Sequence, residues 1–232
     1  MFKKLRVTAS LMMVGLIGGL LWPSLALASE RTEATETIQK ADQAFQQIMN
    51  APDKGIPSEL LESAKCVAII PGELKFAFVL GGQYGRGLAM CRTANGWSAP
   101  VFIAVKGGSI GYQAGGTSTD LVLLFMNDDA LHHLLSSEFK LGASAAAAAG
   151  PVGRHASAST DISMHAEILS YSRSRGIFAG ADLNGTVVKS DRPDNQAMYG
   201  ANVTKQEIVD GKVPKPAAAA PLAAELTRYA KP

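Results

Sequence analysis

The sequence predicts an α+β fold: a curved, largely antiparallel β-sheet or barrel-like core, with N-terminal helices and one short inserted helix. Three observations carry this. A helical spacing of apolar residues comes first in the chain, short apolar runs cut by glycine follow it, and most intervals between those runs are too short for crossover helices. The 232 residues are 47% hydrophobic and 18% charged, which suits one globular domain with a real core and excludes a disordered chain.

Taken in order, residues 1–28 read as a signal peptide. Met-Phe-Lys-Lys-Leu-Arg is a basic n-region, Leu11 to Leu21 is a short apolar stretch, Pro23 breaks it, and Ala26-Leu27-Ala28 precedes Ser29 with small residues at alternate positions. Cleavage is expected after Ala28. The competing reading, an uncleaved N-terminal anchor, finds no second hydrophobic stop and no lipid-accepting cysteine after it. The mature protein is therefore expected to be exported, periplasmic or secreted. Removing Lys3, Lys4 and Arg6 takes away three bases and no acid, so the formal charge of +2 becomes −1. A general polycation for nucleic acid is not expected.

Residues 29–64 read as an N-terminal helical segment. From Thr32 to Asn50 the apolar residues Ile38, Ala41, Phe45, Ile48 and Met49 recur at three- and four-residue spacing, which predicts an amphipathic helix. Pro52 and Gly55 end it, and Pro57-Ser58-Glu59 opens a second short helix through Ala64. Residues 65–200 read as the β-rich core. Strands are predicted at Cys66–Ile70, Phe76–Leu80, Val101–Val105 and Leu121–Phe125, separated by Pro71-Gly72, Gly81-Gly82, Gly107-Gly108 and Gly115-Gly116. Asn127-Asp128-Asp129 starts one helix from Ala130 to about Ser136. The alanine run 143–150, bracketed by Gly142 and Gly150-Pro151, reads as a close-packed strand or turn, and Asn184-Gly185 carries a hairpin signal. Residues 201–232 read as a short helix near Thr204–Val209, then a mobile tail rich in Pro and Ala.

Cys66 and Cys91 are the two cysteines. In an exported protein they read as a disulfide, and the alternative is two small buried hydrophobes on neighbouring strands.

Candidate chemistry is sparse. Gly107-Gly108-Ser109-Ile110-Gly111 matches a nucleophile-elbow pattern, with Asp120 or Asp161 and then His165 following, but glycine-rich strand and turn continue where an elbow needs a helix. A Ser109 hydrolase is thus the remote alternative, and no enzyme is expected. Asp128, Asp129, His132 and His133 offer carboxylates and imidazoles one turn apart without a third ligand, so no metal is expected. Gly82, Gly85 and Gly87 match no nucleotide-binding spacing, and no cofactor is expected. Four arginines stand out on glycine-bounded turns: Arg86, Arg154, Arg173 and Arg175. Each reads either as a fork offered to phosphate or carboxylate or as a surface partner of Asp161, Glu167 or Asp182.

Six blocks in order, Cys66-Val-Ala-Ile-Ile-Pro71, Phe78-Val-Leu-Gly-Gly-Gln-Tyr84-Gly-Arg-Gly87, Gly96-Trp97-Ser98-Ala-Pro100, Thr119-Asp120-Leu-Val-Leu-Leu, Gly150-Pro-Val-Gly-Arg154 and Ser170-Tyr-Ser-Arg-Ser-Arg-Gly-Ile-Phe-Ala-Gly180, resemble the SYLF domain family. The resemblance runs from about Ile38 to Gly200. It implies a non-enzymatic lipid-binding module, since eukaryotic relatives bind phosphoinositide membranes, partly through an N-terminal amphipathic helix, and some bind actin. It places the membrane-contacting face at Ile38, Phe45, Ile48 and Met49, and head-group contact at Arg86, Arg154, Arg173 and Arg175. With a signal peptide that looks bacterial, the expected partner is anionic envelope phospholipid or a membrane surface, with an envelope protein as a possible second partner and no actin. By its pattern alone, the same helix can simply cover the sheet.

Overall fold

The computed structural model describes residues 22–50, 55–77, 80–110, 115–152, 166–174, 177–181 and 183–230. Helix α1 runs Trp22–Met49 and α2 Ser58–Ser63. Strands β1 (Cys66–Ala77), β2 (Leu80–Thr93), β3 (Gly96–Trp97), β4 (Val101–Ile110) and β5 (Gly115–Phe125) follow. Then come α3 (Asp128–Leu135), β6 (Glu138–Lys140), β7 (Ala147–Ala149), β8 (Ile168–Ser174), β9 (Ile177–Gly180) and β10 (Val187–Ser190). Three helices close the described chain: α4 (Arg192–Tyr199), α5 (Lys205–Val209) and α6 (Ala220–Tyr229), the last led in by a 3-10 turn at Ala217–Ala219.

The sheet has the order β6-β10-β4-β2-β1-β5-β8-β7, with β3 added to β2 and β9 to β8. It curls strongly into an open half-barrel. Among the described strands only β7 and β8 pair in parallel. The α+β, largely antiparallel and curved architecture expected from the sequence is therefore the one observed.

Both faces of this sheet are covered, which explains why its strands read as unbroken apolar runs instead of alternating ones. Val67, Ile69, Leu88, Met90, Val122 and Leu124 form one core with α1, α2 and α6. Ala68, Ile70, Ala89, Ile103, Leu123 and Phe125 form a second core with α3, β6 and α5. Cys66 and Cys91 lie in the second core as directly opposed residues of β1 and β2, bonded with a Cα separation of 4.0 Å.

Four local expectations change. The dipeptides read as separators lie inside strands: Pro71-Gly72 is a bulge in β1, and Gly82 pairs across the ladders with Phe76 and Gly108. Sheet pairing overrides glycine's poor strand propensity where close approach is needed. Asn184-Gly185 does make a tight turn, with Gly185 at φ +87° and the Thr186 N–H donating to Leu183 O at 3.0 Å. The strands on either side of it do not pair with each other, however, because β9 lies beside β8 while β10 lies between β4 and β6. Helix α4 is an addition to the elements expected from sequence, although Pro193 in its first turn and Gly200 after it mark its limits. The tail is not free. Ala219, Leu222, Ala223, Leu226 and Ala230 are buried against α1 and α2, at spacings of three and four that define a helical apolar face.

Candidate functional site

Register places one solvent-facing patch of side chains on β2, β4, β10 and β6. Arg86 opposes Ala104, Ala104 opposes Lys189, and Lys189 opposes Glu138, while one row along Tyr84 opposes Lys106. Directly opposed residues share a face of the sheet. Small Ala104 forms the floor between longer neighbours, and α4 and the start of α1 close the sides. The result is a cleft of about 570 Å³ lined by Glu30, Tyr84, Arg86, Lys106, Glu138, Lys189, Asp191 and Arg192 among others.

Alternation along β2 sends Gly85 and Gly87 to the opposite face from Arg86. Their absent side chains are required there. A Cβ on Gly85 would lie 2.6 Å from Ile70 Cγ2, and one on Gly87 would lie 2.3 Å from the Ile69 carbonyl oxygen. These glycines let the β1 bulge approach β2; they are not a phosphate cradle.

Arg86 is the hub of an ionic clasp. Its Nε donates to Asp191 Oδ2 at 3.0 Å, one terminal nitrogen to Glu33 Oε2 at 2.5 Å, and the other to Asp194 Oδ1 at 2.5 Å, with Glu30 Oε2 at 3.6 Å. Two of the carboxylates come from α1 and two from the β10–α4 connection and α4 itself. Helix α4 is also fixed to β4 by Asn195, whose Oδ1 accepts from Phe102 N–H at 2.9 Å and whose Nδ2 donates to Phe102 O at 2.8 Å. The acids hold the guanidinium's pKa above its ordinary value in spite of burial. Asp194, 1% exposed at its side chain, is pushed up to about 7 by burial, with Asp191 and Glu30 adding to the rise and Arg86 opposing it.

At the other side of the cleft the balance reverses. Lys106 and Lys189 are diagonal neighbours across the β4–β10 pairing, and the nearby Lys189 holds the Lys106 amine below its ordinary pKa. Lys106 Nζ stands 5.9 Å from the centre of the Tyr84 ring. Among the described residues, Lys106, Lys189 and Arg192 have no carboxylate within 4.0 Å. None of the three was singled out from sequence, because Lys106 and Lys189 meet only through the β4–β10 pairing.

Of the residues chosen from sequence, Arg86 lines this cleft and the other described ones fall elsewhere. Ile38, Phe45 and Ile48 are fully buried against the sheet and Met49 packs beside them, so this helix face covers the core and is not presented to a bilayer in this structure. Arg86 spends its Nε and both terminal nitrogens on Asp191, Glu33 and Asp194. Arg173 is spent on Gln47 of α1 and on Asp120, whose other oxygen accepts from the Gly72 N–H of the β1 bulge at 2.9 Å. We therefore assign no head-group contact to Arg86 or Arg173. Arg154, Arg175, Asp161, His155 and His165 lie outside the described residues. Ser109 belongs to the continuous strand β4, opposite Gly81, and β5 begins six residues later, so there is no strand-to-helix elbow. His133 Nε2 lies 3.3 Å from Glu167 Oε2, and no group of three metal-type side chains occurs among the described residues.

The curled open sheet, with helices on both faces and a charged cleft on one of them, is the architecture of a binding-type family. The chain belongs to the Ysc84, or SYLF, family: the family model described as "Las17-binding protein actin regulator" matches residues 106–229. It is similar to Protein YSC84 of Saccharomyces cerevisiae, 35% identical over 206 residues, covering 85% of this chain and 42% of the relative. It is similar also to the SH3 domain-containing YSC84-like protein 1 of Homo sapiens, 30% identical over 195 residues, covering 83% and 56%. The SH3 domain-containing protein PJ696.02 of Schizosaccharomyces pombe is 36% identical over 171 residues, covering 72% and 40%. The chain thus spans about half the length of the curated relatives it matches.

Proposed function

We propose that this chain is an exported, non-enzymatic module that contacts anionic phospholipid of the cell envelope through the cleft between β2, β4, β10 and α4. One observation carries the reading: Lys106, Lys189 and Arg192 line an open cleft with no carboxylate within 4.0 Å among the described residues, whereas Arg86 and Arg173 are engaged by the fold itself. Cations side by side with a half-exposed tyrosine suit a phosphate-bearing interface. The acids of the cleft sit mostly at its Arg86 end, so attraction is local and the net charge of −1 expected for residues 29–232 keeps it modest and salt-sensitive. The basic start, apolar stretch and Ala26-Leu27-Ala28 support export, and a disulfide suits an oxidising compartment.

Vesicle flotation tests this. Binding is expected to phosphatidylcholine vesicles containing phosphatidylglycerol at low salt, not to phosphatidylcholine alone, and it should be lost in a Lys106→Gln, Lys189→Gln, Arg192→Gln variant. Absence of binding to every composition at low salt overturns the lipid reading. Mass spectrometry of the protein recovered from a bacterial envelope should find Ser29 at its N-terminus.

A second reading, a protein-interaction domain of the envelope, is favoured by Ile177, 71% exposed on strand β9 at the margin of the sheet. Crosslinking in cells that captures a stable protein partner through Ile177, with no lipid adduct, would select it.

A further inference from the structure

We infer that the clasp between α1 and α4 is an ammonium site for this chain's own processed N-terminus: the Ser29 α-amine, freed when residues 1–28 are removed, joins Arg86 as a second cation among Glu30, Glu33, Asp191 and Asp194. This rests on the export reading above and is independent of the lipid one.

Charge and hydrogen bonding both point to a second cation. One guanidinium faces four carboxylates, which come from α1, the β10–α4 connection and α4. Arg86 donates to Asp194 Oδ1, while Asp194 Oδ2 is buried with no hydrogen-bond partner among the described residues. A buried carboxylate oxygen without a donor is costly, and a positive charge nearby offsets part of that cost. Glu30 follows Ser29 directly in the chain and is one of the acids that raise the Asp194 carboxyl, so a charge at Ser29 acts on the same cluster. The four acids do not converge as the ligands of a metal would: among the described residues no group of three or more metal-type side chains is placed to hold an ion.

Helix α1 supplies the second argument. In the full chain it begins at Trp22 and has no acid in its first turn. Its first acids, Glu30 and Glu33, come directly after Ala28. Cleavage there makes Ser29 the end of the helix, and serine is a favoured cap whose hydroxyl accepts from one of the first free backbone N–H groups. An α-ammonium at the positive end of a helix is unfavourable by itself, and acids in the opening turns offset it. Ser29 and Glu33 are four residues apart and so share a side of the helix, the side from which Glu33 reaches Arg86. Ser29 is exposed and Glu30 half-buried, so the processed helix ends in solvent with the clasp just inside it.

The mature protein recovered from a bacterial envelope tests this, beside a form with two glycines inserted between Ala28 and Ser29, which moves the amine by up to about 7 Å. The α-amine of the parent, followed by NMR titration at Ser29, should have a pKa about one unit above the ordinary value near 8, and that of the two-glycine form should be ordinary. An amine raised in the folded state stabilises fully below about pH 8 and loses that contribution as pH rises through about 9. Between pH 7 and pH 10 the unfolding constant of the parent should therefore rise about tenfold more than that of the two-glycine form. Glu30→Gln should return the amine to its ordinary pKa, whereas Glu36→Gln, whose acid pairs with Lys40, should leave it raised. An ordinary pKa in the parent overturns the inference and leaves export standing. A raised pKa that neither Glu30→Gln nor Asp194→Asn changes puts the amine elsewhere and also overturns it. An N-terminus other than Ser29, read by mass spectrometry, overturns the cleavage after Ala28 and this inference with it.

Discussion

Gly87 shows how a single missing methyl shapes this sheet. Its Cβ position would fall 2.3 Å from Ile69 O and 2.8 Å from Ile70 Cα, both backbone atoms of the bulged strand that cannot rotate away. Gly87→Ala should therefore lower stability by about 3 kcal/mol, while Gly108→Ala, with nothing within 4 Å, should change it little. Urea unfolding of the two variants checks this pair. Asp194 makes a pH-dependent prediction. Its carboxyl titrates near 7 in the folded chain, above the ordinary carboxylate range, because it is buried beside Asp191. The folded state then holds more protons than the unfolded state between about pH 4 and 7, so this group's stabilising contribution is complete below that window and is lost as pH rises through it. Asp194→Asn should flatten that part of the stability profile, read as the difference between urea midpoints at pH 5 and pH 8. The glycine pattern and the isolated arginine were visible in sequence. Their purpose was not, since the atoms that crowd Gly87 come from β1 and the acids that fill Arg86 come from α1 and α4.

Helices α1 and α6 carry the question of what an amphipathic face is for. The periodicity of Ile38, Phe45 and Ile48 specifies a helix with one apolar side, and it is equally suited to a bilayer or a sheet. In the folded protein that side meets the sheet and α6, where the Phe45 and Tyr229 rings are 6.2 Å apart at 76°. Phe45→Ala should lower stability by about 3–5 kcal/mol. Vesicle binding per folded molecule should stay unchanged, which separates packing from membrane contact in one experiment. Leu226 is fully buried on α6, and Leu226→Ala should lower stability by about 2–4 kcal/mol, measured by urea unfolding. That result distinguishes a docked helix from a mobile tail. The Pro/Ala composition of this segment masked a clear signal, because Ala219, Leu222, Ala223 and Leu226 already lie at helical spacing. Elsewhere local chemistry was enough: Asn127 Oδ1 accepts from Ala130 N–H at 2.9 Å, and Thr204 with Glu207 forms a capping box.

Across the whole molecule, two cores back to back on one sheet give the fold its stability, and Cys66–Cys91 ties the start of β1 to the end of β2. The bridge closes a loop of sequence separation 25, for which restriction of the unfolded chain contributes about 3.5 kcal/mol. Replacing both cysteines by alanine should lower stability by about that amount or less, measured by denaturant unfolding against the parent with and without reductant. The sequence by itself determined the α+β class, the antiparallel preference, the limits of α2, α3 and α5 and the family, because turn chemistry, capping and hydrophobic period act over a few residues. Only the tertiary structure decided that the amphipathic face of α1 is covered, that Arg86 and Arg173 are engaged by carboxylates of the fold, and that Lys106 and Lys189 share a cleft. Those outcomes depend on strand register and on charges more than 50 residues apart, and a one-dimensional pattern carries neither.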